Sequence, residues 1–160
     1  MAQIQRKEVP TQTQRKQVET PLHCSHSLFY EVFRSEPNLL PTVSPCHVKE
    51  IKLVDGTDSW EAKVGSRKVV HFDEGGHEHF KDEVVAIDRQ ANKITYKVLE
   101  GNLMMHLYNS LVATLEVKPA TAKWTVEFQK KHKLIPDPDI YLHRLGSVNK
   151  DLDRYLTPKE

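Results

Sequence analysis

Six segments from residue 48 onward alternate apolar and polar residues, and turn signals such as Asp55-Gly56 or Gly101-Asn102 separate them. These segments are residues 48–54, 67–72, 78–87, 93–99, 107–117 and 123–131. The intervals are too short for the crossovers that parallel strands need, so neighbouring strands should be antiparallel. Alternation over so many strands predicts an antiparallel sheet with one apolar face.

The alternation also indicates which side chains face the interior. Strict alternation from Leu107 puts Asn109 on the apolar face as its polar group and turns His106 and Tyr108 to the other face. A bulge after Gly101 would reverse this assignment. The other residues predicted on the apolar face are Tyr96, Val98, Leu111, Trp124 and Val126.

The C-terminal segment has the strongest helix signal in the chain. Asp137 suits the N-cap, Pro138 suits the first helical position, and Pro158 prevents continuation. Spacings of four, three, four and three residues predict one apolar stripe, formed by Tyr141, Leu145, Val148, Leu152 and Tyr155. A long amphipathic helix lying across a curved antiparallel sheet is an α+β, helix-grip-like architecture.

The N-terminal part should supply one more strand and two short helical pieces. The strand is predicted within residues 5–20, where Pro10 would require an edge position or a bulge. A helix is predicted over residues 25–35, with Ser25 as N-cap. Prolines 37, 41 and 45 leave room for only a short helical turn at residues 38–40.

The composition of the chain argues against several classes of function and location. The 160 residues carry a net charge of +1, which provides no general attraction for nucleic acid or anionic membranes. No segment has the apolar core of a secretory signal or a membrane-spanning helix. We therefore expect a single domain over residues 1–160 in the cytoplasm, with no nucleic-acid or membrane partner. Cys24 and Cys46 lack metal-ligand spacing, and we expect free thiols.

Several motifs, taken in order, resemble plant major latex proteins of the birch-pollen-allergen superfamily. They are FYEVFRS at residues 29–35, NLLP at 38–41, and WTVEF at 124–128, followed by Pro-Asp-Pro at 136–138. The resemblance implies a seven-stranded antiparallel sheet, two short helices in a V, and a long C-terminal helix that closes a large internal hydrophobic cavity. It also implies a binder or carrier of plant metabolites, with a few enzymes of alkaloid or terpenoid pathways among the relatives.

Our leading hypothesis is therefore binding or transport of a small hydrophobic plant metabolite. The alternative is a cofactor-free enzyme of specialised metabolism, a cyclase or isomerase of a reactive terpenoid, iridoid or alkaloid intermediate. The predicted ligand-binding residues are Tyr96, Val98, Leu107, Asn109, Leu111, Trp124, Val126, Tyr141, Leu145 and Val148.

The sequence assigns no catalytic residue and no oligomeric state. It contains none of the local motifs of a phosphate loop, a dinucleotide site or a nucleophile elbow, so no cofactor is predicted. His77 and His79 alternate on one strand, but they have no third ligand, so no metal site is predicted. His143 lies two positions after Tyr141 and should face away from it.

Overall fold

The computed structural model describes residues 12–72, 78–102 and 106–159. Its sheet has seven strands in the order β1-β7-β6-β5-β4-β3-β2, and neighbouring strands are antiparallel. The strands are β1 (Gln14–Pro21), β2 (Glu50–Val54), β3 (Arg67–His71), β4 (His79–Asp88), β5 (Lys93–Gly101), β6 (Tyr108–Lys118) and β7 (Thr121–Lys130). The predicted sheet is confirmed, although the proposed effect of Pro10 on the first strand lies outside the described residues.

Three helices accompany the sheet: α1 (His26–Ser35), α2 (Leu40–Val43) and α3 (Asp139–Leu156). Ser25 caps α1 as predicted, since its side chain accepts a hydrogen bond from the backbone N–H of Leu28 at 3.3 Å. A 3-10 turn over Pro37–Leu39 leads directly into α2. Together these elements form the predicted helix-grip architecture.

One prediction about β6 is wrong. The pairing of β6 with β7 shifts register between Tyr108 and Ser110, which inserts one extra residue and reverses the alternation. Tyr108 is therefore buried and Asn109 is exposed. The Tyr108 ring packs edge-on against Phe128, and its hydroxyl donates to the carbonyl of Pro136 at 2.5 Å. These contacts explain why the tyrosine takes the interior position predicted for Asn109.

Two predictions about α3 also need correction. Its N-cap is Pro138, without a side-chain cap, whereas Asp137 forms ion pairs with Lys16 and Lys130. Tyr155 is 57% exposed. The buried face of α3 extends toward Asn149 and Asp153, and Tyr155 lies on the opposite flank at 3.6 residues per turn.

The two ends of α3 are held against β1 and the segment that follows it. At its C-terminal end, the Asp153 carboxylate accepts hydrogen bonds from the backbone N–H groups of His23 (2.8 Å) and Cys24 (2.9 Å), and lies 3.0 Å from Nδ1 of His23. At the N-terminal end, Lys16 lies 2.7 Å from Asp139. The carboxylate of Asp153 thus satisfies two backbone donors, one buried and one partly buried, that have to be paired when the chain folds.

The middle of α3 lies very close to β1. A Cβ atom on Gly146 would come within 3.1 Å of Val18, so a larger residue would push the helix outward. The predicted free thiols are confirmed: Cys24 is buried, Cys46 is exposed, and neither forms a disulfide. Burial raises the pKa of the Cys24 thiol to about 12, which makes it an unreactive packing residue at neutral pH.

Candidate ligand-binding site

A cavity of about 70 Å³ lies between the sheet and α3. Its walls come from α1 through Phe33, from β2 through Ile51, from β4 through Phe80 and from α3 through Val148. Aromatic rings occupy much of this space: Phe80 packs against Phe72 at 5.0 Å and against Tyr141 at 5.8 Å between ring centroids. The cavity is therefore smaller than the family resemblance implied.

Five of the ten predicted ligand-binding residues line this cavity: Tyr96, Trp124, Tyr141, Leu145 and Val148. They come from β5, β7 and α3, which come together only in the folded protein. Their role in binding stays a prediction, but the structure brings them together.

The other five lie elsewhere. Val126 is fully buried in the core, and Leu107, which is partly buried, packs against that core. Val98, Asn109 and Leu111 line a separate cleft of about 230 Å³ between β5 and β6. Among the described residues, the pairing of these two strands ends at Lys97 and Val112, so the cleft opens where the strands diverge.

Sequence reasoning missed a pair of oppositely charged residues in the cavity wall. Lys68 on β3 and Asp82 on β4 are direct cross-strand partners, and the ammonium of Lys68 lies 2.7 and 2.9 Å from the two carboxylate oxygens of Asp82. The side chain of Asp82 is only 5% exposed. The signal was present in the alternation, because Lys68 shares the parity of buried Val70 and Asp82 that of buried Phe80.

Burial and pairing act in opposite directions on this carboxyl group. Burial raises the pKa of Asp82, and the neighbouring Lys68 lowers it, with burial the stronger effect. The ammonium of Lys68 also lies 4.2 Å from the centre of the Tyr96 ring, within reach of a cation–π interaction. The cavity therefore has one polar patch formed by an ion pair and an aromatic face.

Two phenol groups lie in the same cavity. Tyr96 and Tyr141 are 7% and 4% exposed, and burial, together with the charge of Asp82, raises the pKa of both far above its ordinary value. Both remain protonated at any physiological pH and can act as hydrogen-bond donors. Within the part of the chain that the structure describes, neither hydroxyl has a hydrogen-bond partner.

A second ion pair connects α3 to the start of β4. The Arg144 guanidinium lies 2.8 Å from a carboxylate oxygen of Glu78 and 4.6 Å from the centre of the Phe72 ring. Arg144 also lines the cavity. The guanidinium of Arg144, stacked on Phe72 and paired with Glu78, therefore forms part of the cavity wall.

The histidines that the structure describes do not converge on the cavity. His71 and His79 pair across β3 and β4 with ring centroids 5.5 Å apart, on the face opposite Val70 and Phe80. His143 is exposed while Tyr141 is buried, as predicted. His77, together with Met104 and Met105, lies outside the described residues.

Two other kinds of feature are absent from the described residues. Among them, no three His, Cys, Asp or Glu side chains are placed to hold a metal ion. No helix within those ranges is both long and apolar enough to cross a membrane.

Known proteins share this fold and sequence pattern. Residues 11–159 match the Pathogenesis-related protein Bet v 1 family. MLP-like protein 43 of Arabidopsis thaliana is 30% identical, and the alignment covers 90% of this chain and 93% of that protein. MLP-like protein 34 of the same plant is 26% identical, and the alignment covers 92% of this chain. This chain therefore spans only about half of that relative, 48% of its length.

Solved structures agree with this assignment. Ginseng major latex-like protein 151 from Panax ginseng superimposes with a TM-score of 0.82 and 27% identity, covering 91% of this chain and 99% of that one. Norcoclaurine synthase from Thalictrum flavum, solved in complex with dopamine and hydroxybenzaldehyde, has a TM-score of 0.77 at 16% identity, with coverage of 100% and 96%. That identity establishes a shared fold alone. The chain belongs to the Pathogenesis-related protein Bet v 1 family and is similar to its major latex proteins.

Proposed function

We propose that this protein binds or carries a small hydrophobic plant metabolite in the cavity between the sheet and α3. The observation that supports the proposal is the largely apolar space itself, which Phe80, Trp124 and Val148 border from three different elements. Apolar pockets with a few polar groups are the usual form of small-molecule sites. A ligand there would leave water and gain roughly 25 cal/mol for each Å² of apolar surface buried.

The volume limits the ligand. About 70 Å³ accommodates only a very small molecule without rearrangement, so a larger metabolite would have to displace a side chain. Leu145 is the best candidate, because it lines the cavity yet is only partly buried. Its movement would enlarge the cavity without disturbing the sheet.

The test uses a pair of variants on α3. Leu145→Trp should fill the cavity and lower the affinity for a fluorescent apolar probe at least tenfold. Ile140→Trp adds the same ring at an exposed position on the same helix and should leave probe affinity unchanged. Equal binding by both variants would contradict the proposed site. Native mass spectrometry of the purified protein would then identify any metabolite that remains bound.

The second candidate function is a cofactor-free cyclase or isomerase of a reactive terpenoid, iridoid or alkaloid intermediate. The ion pair between Lys68 and Asp82, placed inside an apolar cavity, favours it, since fixed charges act strongly where water is excluded. In that case cavity shape would orient the substrate, and Trp124→Ala should change the product distribution as well as the rate. Binding without turnover, over a panel of such intermediates, would support the carrier.

A further inference from the structure

We propose that the cavity selects an uncharged apolar molecule that carries a carbonyl oxygen, which the hydroxyls of Tyr96 and Tyr141 bind as donors. This inference rests on the proposed binding function and specifies the ligand for the same site. It starts from two tyrosines that line the cavity and whose hydroxyls have no hydrogen-bond partner among residues 12–72, 78–102 and 106–159.

The balance of donors and acceptors favours a carbonyl group. A hydroxyl that borders an apolar cavity and has no protein partner loses the hydrogen bond that it would make in bulk water, unless water or a ligand in the cavity supplies one. The tyrosines elsewhere in the interior avoid this loss: Tyr108 and Tyr30 donate to the backbone carbonyls of Pro136 and Lys93. A carbonyl oxygen has two lone pairs and no hydrogen, so it can accept from Tyr96 and Tyr141 without needing an acceptor in return.

An alcohol fits less well. Its own O–H would need a good acceptor, but phenol oxygens accept only weakly, and each carboxylate oxygen of Asp82 already accepts one hydrogen bond from the ammonium of Lys68. The polar end of the cavity therefore offers free donors, while its carboxylate is already engaged. This asymmetry points to a ligand that only accepts.

The charge balance excludes ionised ligands. Lys68 is neutralised by Asp82, and Arg144 is neutralised by Glu78. A carboxylate or an ammonium group would enter a site without a charge to compensate it, and an uncompensated buried charge is strongly unfavourable. The ligand should therefore be neutral, such as an aldehyde or a ketone on a hydrocarbon skeleton.

The experiment uses one ring skeleton with different polar groups: acetophenone, 1-phenylethanol, ethylbenzene, benzoate and benzylamine. Calorimetry or ligand-observed NMR measures the affinity of each for the full chain. Two hydrogen bonds of ordinary net strength should make acetophenone bind about tenfold more tightly than ethylbenzene. The alcohol should bind less tightly than acetophenone, and neither ionised compound should bind detectably.

Two tyrosine variants locate the effect. Tyr96→Phe combined with Tyr141→Phe keeps both rings, so it should abolish the preference for acetophenone and change ethylbenzene affinity by less than about threefold. Tyr155→Phe removes a hydroxyl at an exposed position and should leave all affinities unchanged. If circular dichroism shows that the double variant is unfolded, each single variant should lower the preference by about threefold.

Each outcome decides between the two proposals. If no compound binds, ethylbenzene included, the binding function itself is wrong and this inference falls with it. If ethylbenzene binds as tightly as acetophenone, or if benzoate binds best, the binding function stands and only the carbonyl inference is overturned. A preference that survives loss of both hydroxyls would also overturn it.

Discussion

Replacing Asn149 by Ala should destabilise the fold, although nothing in the sequence marks this residue as important. Asn149 is fully buried on α3, where its Oδ1 accepts a hydrogen bond from the indole N–H of Trp124 at 3.0 Å. Its Nδ2 donates to the hydroxyl of Thr20 at 3.4 Å. One amide thus connects the helix to β7 and β1, and its loss leaves a buried indole donor without an acceptor.

The size of the effect follows from that unpaired donor. Leaving a buried polar group unsatisfied costs about 1–3 kcal/mol. In a chain of this length, each kcal/mol corresponds to a shift of about 2–4 °C in Tm. Asn149→Ala should therefore lower Tm by about 2–12 °C. The neighbouring exposed variant Lys150→Ala should stay within about 0.5 kcal/mol of the parent protein.

Thermal and urea denaturation measure both variants, and a double-mutant cycle tests the reason. Trp124→Phe removes the indole N–H, so Asn149→Ala should cost less in that background, with a coupling of about 1 kcal/mol. Strictly additive effects would refute the argument from the hydrogen bond. An unchanged Tm for Asn149→Ala would refute the assigned burial as well.

Three further predictions concern binding, pH and metal. Val148→Glu should abolish apolar-probe binding or folding, because Val148 lines the cavity and a buried charge is unfavourable. Lys159→Glu should do neither. A folded Val148→Glu protein with unchanged probe binding would contradict the placement of Val148. Burial opposes the charged form of Asp153, but hydrogen bonds from His23 and Cys24 prevail and lower its pKa. The stability that the Asp153 carboxylate contributes is thus complete above the unfolded-state pKa near 4, and it disappears as pH falls through the lower pKa of the folded state. Asp153→Asn should therefore be destabilised by about 1–3 kcal/mol at pH 7 and by progressively less below pH 4. A pH-independent difference in urea denaturation would argue against this linkage. Adding a chelator should leave Tm unchanged, and a large fall would reveal a structural metal.

Regular patterns in the sequence predicted most of the fold. Alternation and turn residues located the strands of the sheet, because one buried face imposes a period of two. The exception at Tyr108 shows the limit of that reasoning. A single bulge reverses the parity, and its cause is the contact of Tyr108 with Phe128 and Pro136, which are distant in sequence.

The candidate site was only half predictable for a related reason. Trp124 and Tyr141 were identified because large apolar side chains on a regular face belong to the interior. Lys68 and Asp82 were not, since charged residues are rarely buried unless they are paired. Their pairing depends on the register between β3 and β4, which one strand alone does not reveal.

The unequal attachment of α3 has a kinetic consequence for any ligand that enters the cavity. Asp153 holds the C-terminal end through hydrogen bonds to backbone groups, whereas exposed Lys16 and Asp139 hold the first turn, before the Arg144–Glu78 pair. Exposed ion pairs contribute little and weaken with added salt. Opening should thus begin at the first turn, beside Tyr141, so its amide protons should exchange faster than those near Asp153. Ligand entry and release should both accelerate as ionic strength rises, while the far end of the helix acts as a fixed hinge.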